Sequence, residues 1–125
     1  CAAALAHQRD AEGLGLDIEC VERLHKELWE RICVPEELEW LTRQPQGEQQ
    51  SLAALLFSAK ECLYKCQYPL SRTWLEFHDV MIRIENDATF TARFEIDAGN
   101  RFPKGSTLEG KYRFTGPYVL TGIAV

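Results

Sequence analysis

The chain has 125 residues, 46% of them hydrophobic, which is the size and make-up of one ordinary domain able to bury a core without disulfides or structural metal. A formal charge of -5 at pH 7 excludes a general nucleic-acid binder, which needs basic surface to displace phosphate counterions. An acidic chain still binds phosphates through a metal or a few placed lysines.

The first run, "CAAALAH", is small and apolar, begins without a turn or cap, and reads as a strand or buried segment entered from upstream. The only methionine is Met81, so the chain reads as a piece of something longer. "RDAEG" is a polar turn. "LGLDIE" is a short strand in which Leu14, Leu16 and Ile18 alternate with Gly15, Asp17 and Glu19. From Val21 to Ile32 the apolar positions Val21, Leu24, Leu28, Trp29 and Ile32 follow helical spacing and predict an amphipathic helix. "PEELEWLTR" predicts a second short helix, with Pro35 in its first turn and Glu36 and Glu37 where a helix N-terminus favours acids. After the loop "QPQGEQQ", the main helix is expected from about Glu48 to Lys65, with Pro69 and Ser71 marking the exit.

Beyond that point the period changes from 3.6 to 2. Val80, Ile82 and Ile84 share one strand face, and Phe90, Ala92, Phe94 and Ile96 share another. "EGKYRFTG" and "YVLTGIAV" read as the last two strands around the turn "TGPY". Two strands, three helices and a run of antiparallel strands predict a single α+β domain over 1–125, an antiparallel sheet with helices packed on one face. No apolar run reaches the roughly 18 to 20 residues of a membrane span, and no stretch looks like a signal peptide. Cys1, Cys20, Cys33, Cys62 and Cys66 are odd in number and form no CxxC pair. They read as buried or semi-buried thiols of a reducing cytosol, so the expected location is cytoplasmic.

The chemistry concentrates in two stretches. Asp17 and Glu19 leave the same face of a strand with Cα atoms roughly 6 to 7 Å apart, and two such carboxylates repel unless a cation joins them. A solvated strand face also carries D-x-E by chance. In "LLFSAKECLYK", Leu52, Leu55, Leu56, Ala59 and Leu63 supply an apolar side, which places Lys60 and Glu61 at the edge of the core. Glu61 and Lys65 are spaced for a surface ion pair. Alternatively, Glu61 completes an oxygen-ligand set with Asp17 and Glu19 while the lysines hold anionic oxygens, an arrangement suited to Mg²⁺.

"GLDIE" followed about forty residues later by "FSAKECLYK" resembles the paired signature of the 4'-phosphopantetheinyl transferases, a G-x-D-x-E strand and a W/F-S-x-K-E-x-x-x-K helix. "CAAALAH", "FHDV" and "GPYVLTGIAV" are similar in style to the bacterial enzymes that activate carrier proteins of siderophore and other nonribosomal peptide pathways. The resemblance implies Mg²⁺-dependent transfer of the phosphopantetheine arm of coenzyme A to a serine of an acyl or peptidyl carrier protein, releasing adenosine 3',5'-bisphosphate. It implies Asp17, Glu19 and Glu61 as metal ligands, with Lys60 on the phosphate being transferred and able to protonate the leaving oxygen. Lys65 would lie on the nucleotide part of coenzyme A. Glu37 falls where the larger family members place a general base, with Glu36 as the neighbouring alternative.

The larger members have two similar halves, and this chain resembles the second. The serine-histidine motif expected upstream of "CAAALAH" is not matched by His7, and His25 and His78 read as surface or strand-edge residues. Single-half members form trimers. Either a truncated enzyme or a domain that self-associates to cover the face of its missing half is therefore expected, with a core role for most of Trp29, Trp40 and Trp74. Two other functions fit the same residues: a metal-dependent phosphodiesterase using Asp17, Glu19 and Lys60, and a non-catalytic module that binds a carrier protein.

Overall fold

A computed structural model describes residues 12–125, so the expectations for "CAAALAH", Cys1 and His7 lie outside the described residues. Five strands, β1 (Leu14–Cys20), β2 (Val80–Ile84), β3 (Thr89–Phe94), β4 (Thr107–Thr115) and β5 (Tyr118–Ala124), form one antiparallel sheet in the order β1-β5-β4-β3-β2. Three helices, α1 (Trp29–Ile32), α2 (Pro35–Thr42) and α3 (Gln46–Ser71), complete the α+β fold. Among the described residues, no helix is long and apolar enough to cross a membrane.

Alternation sets the two sheet faces. Phe90, Ala92 and Phe94 of β3 are fully buried, and Val119, Thr121 and Ile123 of β5 point the same way. Ile96 was expected to continue the β3 face, but the strand ends at Phe94 and Ile96 is exposed. Leu55, Leu56, Ala59, Cys62, Leu63 and Cys66 of α3 cover the inner face. The close approach depends on Gly15, because a Cβ there would lie 2.1 Å from the Cys62 carbonyl oxygen. The Cys62 thiol instead donates to the Gly15 carbonyl at 3.2 Å. Asp17, two residues on, is thereby carried directly onto α3.

Two predicted elements differ. The single helix expected over Val21–Ile32 is two 3₁₀ turns, Val21–Arg23 and Lys26–Leu28, followed by α1. Leu24 and His25 take extended ψ angles of 94° and 148°, which break the helix. Tertiary anchors override the periodicity: the Val21 amide donates to the Pro117 carbonyl, and Gln50 donates to the Val21 carbonyl. Leu24, Trp29 and Ile32 still reach the core. The long helix, expected to stop near Lys65, continues to Ser71 with Pro69 in its last turn. There the ring removes a single intrahelical donor. Gln67 and Ser71 secure the end through bonds to each other and to Thr73, and Arg72 closes it in the left-handed conformation.

Candidate active site

β1 and α3 together build a wall of carboxylates. Asp17 is 4% exposed, and both of its oxygens have donors. Ser58 Oγ donates to Oδ2 at 2.8 Å, and Lys65 Nζ donates to Oδ1 at 2.7 Å. Thr121, directly opposite Asp17 in the β1–β5 register, lies 2.8 Å from Ser58 Oγ and donates to the Ser58 carbonyl. The buried hydroxyls of Ser58 and Thr121 thus fix the rotamer of Asp17. Ser58 lies in the run that carries Lys60 and Glu61, and a serine between apolar neighbours was the available sign of a buried polar partner.

Glu19 and Glu61 complete the wall. Partial burial, a hydrogen bond with Asp17, and the charges of Asp17 and Glu61 push the Glu19 carboxyl up to about 7, against the opposing pull of Lys65. Glu61 is also raised, by burial and then by Asp17, with Lys65 again opposing. Lys65 is held above its ordinary range, first by its hydrogen bond to Asp17 and then by the charges of Asp17, Glu61 and Glu19. The ion pair with Glu61 that spacing allowed is therefore replaced by one with Asp17, leaving the Lys65 side chain half exposed.

Three mutually repelling carboxylates form a hard-oxygen donor set, which fits a cation that keeps several waters and shares anionic oxygens with a ligand. Among the described residues, no three His, Cys, Asp or Glu side chains already close on a common point. Both Asp17 oxygens are turned to protein donors, so the set fits a cation by its chemistry and its charge repulsion rather than by a finished cage.

Lys60 and Glu37 come together elsewhere. Lys60 was expected at the edge of the core but is 3% exposed. Its ammonium donates to Glu37 Oε1 at 2.7 Å and to the carbonyls of Ile32 and Phe77 at 2.8 Å each. Of the acidic pair in "PEEL", Glu36 faces solvent and Glu37, at 2% exposure, faces inward. Glu37 also accepts from the amides of Val34 and Ile82, so this arrangement does not present it to an incoming hydroxyl as the expected base.

Two cavities flank this region. One of about 170 Å³ is lined by Lys60, Glu61, Tyr64, Trp74, Leu75 and Phe77, among others. The other, of about 350 Å³, runs from Glu19 past Arg23, Leu28 and Arg31 to Phe57 and Phe77. His25 and His78 are exposed, with His78 Nε2 3.0 Å from the Glu30 carbonyl. Trp29 is in the core, Trp40 packs against it, and Trp74 is 67% exposed beside Tyr64. Cys20, Cys33, Cys62 and Cys66 are free thiols, the last three buried.

The single antiparallel sheet packed on one long helix, with acids from its first strand facing acids and lysines of that helix, defines an α+β protein built to handle charge at the strand–helix seam. Residues 13–121 match the family model described as ACPS: 4'-phosphopantetheinyl transferase superfamily, and the chain belongs to that superfamily. It is 36% identical over 131 residues to the 4'-phosphopantetheinyl transferase Svp of Streptomyces mobaraensis, covering 98% of this chain and 51% of that protein. The chain thus spans about half the length of the curated relatives it matches. Among solved structures, the holo-[acyl-carrier-protein] synthase of Thermotoga maritima superposes with a TM-score of 0.72 at 18% identity, over 90% of this chain and 61% of that one. The Helicobacter pylori synthase, solved in complex with coenzyme A, gives 0.66 at 18% identity, over 90% and 99%. These structural likenesses establish the shared fold.

Proposed function

We propose that this chain takes part in transfer of the phosphopantetheine arm of coenzyme A to a serine of an acyl or peptidyl carrier protein. The observation that carries the reading is the convergence of Asp17, Glu19, Glu61 and Lys65 on one wall, in a chain of this superfamily. Asp17, Glu19 and Glu61 would hold Mg²⁺, which when bound supplies positive charge against the pyrophosphate of coenzyme A. Lys65, half exposed at the rim, offers its ammonium to an anionic part of the nucleotide. Lys60 reaches the wall of the 170 Å³ cavity, whose apolar lining by Tyr64, Trp74 and Leu75 suits an extended thiol-bearing arm.

In the reaction, the serine oxygen forms a bond to the phosphorus bearing the arm, and the bond from that phosphorus to adenosine 3',5'-bisphosphate breaks. The hydroxyl proton leaves to a carboxylate of the wall or to water. This chain contributes charge neutralisation and alignment of the arm. A carrier of siderophore or other nonribosomal peptide synthesis is the expected partner, a cytoplasmic setting is expected, and a second half or second copy would close the site.

The test is carrier loading from coenzyme A and Mg²⁺ by the protein as encoded in full, followed by mass. Loading should add one phosphopantetheine and should fall by about 100-fold or more in Asp17→Ala. Release of nucleotide by water without a carrier would refute the transfer reading in favour of a phosphodiesterase. Carrier binding without loading would leave only a docking module.

A further inference from the structure

The charge of Lys60, 3% exposed, has one carboxylate to answer it, Glu37 at 2%. Both Glu37 oxygens already have donors, and its side chain is 1% exposed, so no hydroxyl reaches it from solvent. Its Oε1 accepts from Lys60 and from the Val34 amide at the head of α2, and its Oε2 accepts from the Ile82 amide of β2, each at 2.7 Å. A base that takes a proton from a partner's hydroxyl must bring an oxygen within about 2.6 to 3.2 Å of it. We infer that Glu37 is instead a positioning residue, which fixes the Lys60 ammonium, charged, in the cavity wall beside Glu61. The inference rests on the transferase reading in one respect, the role of Lys60 at an anionic oxygen.

The other contacts of Lys60 show how this works. The Ile32 carbonyl at the end of α1 and the Phe77 carbonyl take its two remaining protons. Of the three bonds the one to Phe77 is part-buried and the other two are buried, so the Phe77 carbonyl is the partner that an entering phosphate oxygen would replace. That exchange substitutes an anionic acceptor for a neutral one and strengthens the bond. Glu37 and Ile32 stay in place, and Lys60 meets its ligand with one donor to give and two that keep it aimed.

The test uses the protein as encoded in full. Glu37→Gln keeps the side-chain size and an acceptor for Ile82 but removes the charge facing Lys60. Breaking a buried pair on one side should lower the melting temperature by about 10 °C or more, as should Lys60→Met alone, while the double variant recovers most of the loss. In carrier loading, Glu37→Gln should lower kcat/KM by about 100-fold or more with the acidic limb of the pH profile retained. Loss of that limb in a folded Glu37→Gln protein would make Glu37 the base and overturn the inference. Additive thermal losses would also overturn it. If the single variants do not fold, the wild-type protein decides: the Lys60 ammonium should give a slowly exchanging nitrogen NMR signal, and fast exchange with water refutes the pairing. Thermal coupling and the ammonium signal need no turnover, so they separate this inference from the transferase reading. With no carrier loading, their presence still supports Glu37 fixing Lys60, and their absence ends the inference.

Discussion

Replacing Gly15 with alanine tests whether the carboxylate wall depends on backbone contact between β1 and α3. The new Cβ would fall 2.1 Å from the Cys62 carbonyl oxygen and 2.9 Å from the Cys66 Cβ. Ordinary contact begins near 3.4 Å, so β1 must retreat from the helix backbone by about 1 Å. Overpacking of this kind costs about 1 to 3 kcal/mol. The retreat also pulls Asp17 from Ser58 and Lys65, now 2.8 and 2.7 Å away, and each charge-assisted bond contributes about 1.5 to 3 kcal/mol. Because Lys65 is half exposed, its share is discounted to the roughly 0 to 1 kcal/mol of a surface pair, and the combined expected loss is about 2.5 to 7 kcal/mol, the lower end applying where Asp17 keeps part of its contacts. Urea unfolding followed by circular dichroism measures it, with the midpoint falling at unchanged slope. Gly47→Ala is the control, since a Cβ there meets nothing within 4 Å inside a helix, and it should be neutral or stabilising by up to about 1 kcal/mol. A Gly15→Ala protein within about 0.5 kcal/mol of wild type, the usual range of a surface substitution, would refute the close approach of β1 to α3.

Ser58→Ala removes a donor to buried Asp17 and should cost about 1 to 3 kcal/mol in the same unfolding assay; a change too small to measure would mean that Lys65 alone fixes the carboxylate. Burial pushes the thiols of Cys33 and Cys62 up to about 12 and that of Cys66 up to about 11. Among the cysteines of the described residues, half-buried Cys20 should therefore be alkylated first by iodoacetamide at pH 8, as peptide mass mapping would show. The same thiols hold their protons in the folded state beyond the ordinary value of 9, so their contribution to stability is complete below pH 9 and falls as pH rises toward 12. Arg72→Gly relieves a left-handed residue at φ 57° and should raise the melting temperature by a few degrees, corresponding to about 1 kcal/mol, less whatever the Arg72–Tyr68 contact contributes. A lower melting temperature would show that the contact outweighs the strain.

The sequence makes the carboxylate wall legible because two simple periods meet there. A repeat of two puts Asp17 and Glu19 on one strand face, and a helical repeat puts Glu61 and Lys65 on one stripe. The burial of Lys60 is harder to read, because a lysine among leucines and alanines looks like the rim of an apolar stripe until its partner is known. That partner, Glu37, lies on another helix and is itself anchored to a strand. Sequence spacing holds no record of such long-range satisfaction. Residues 21–32 show the same limit: their apolar period describes what must be buried, while a backbone bond to Pro117 and a bond from the Gln50 side chain decide how the chain turns. The end of α3 was misplaced because a proline is costly inside a helix yet tolerable in its last turn.

The pairing of β1 with β5 alone among the described strands joins residues 14–20 to residues 118–124. During synthesis, the strand bearing Asp17 and Glu19 must wait for nearly a hundred further residues before its hydrogen-bonding partner exists. Thr121, which steadies Ser58 beneath Asp17, arrives at the same late moment. Helix α3 and the β2–β4 meander rest on nearer contacts, whereas the carboxylate wall depends on the longest-range strand pairing among the described residues. A domain organised in this way gains its charged site only when its whole sheet is closed, which ties the appearance of the chemistry to completion of the fold.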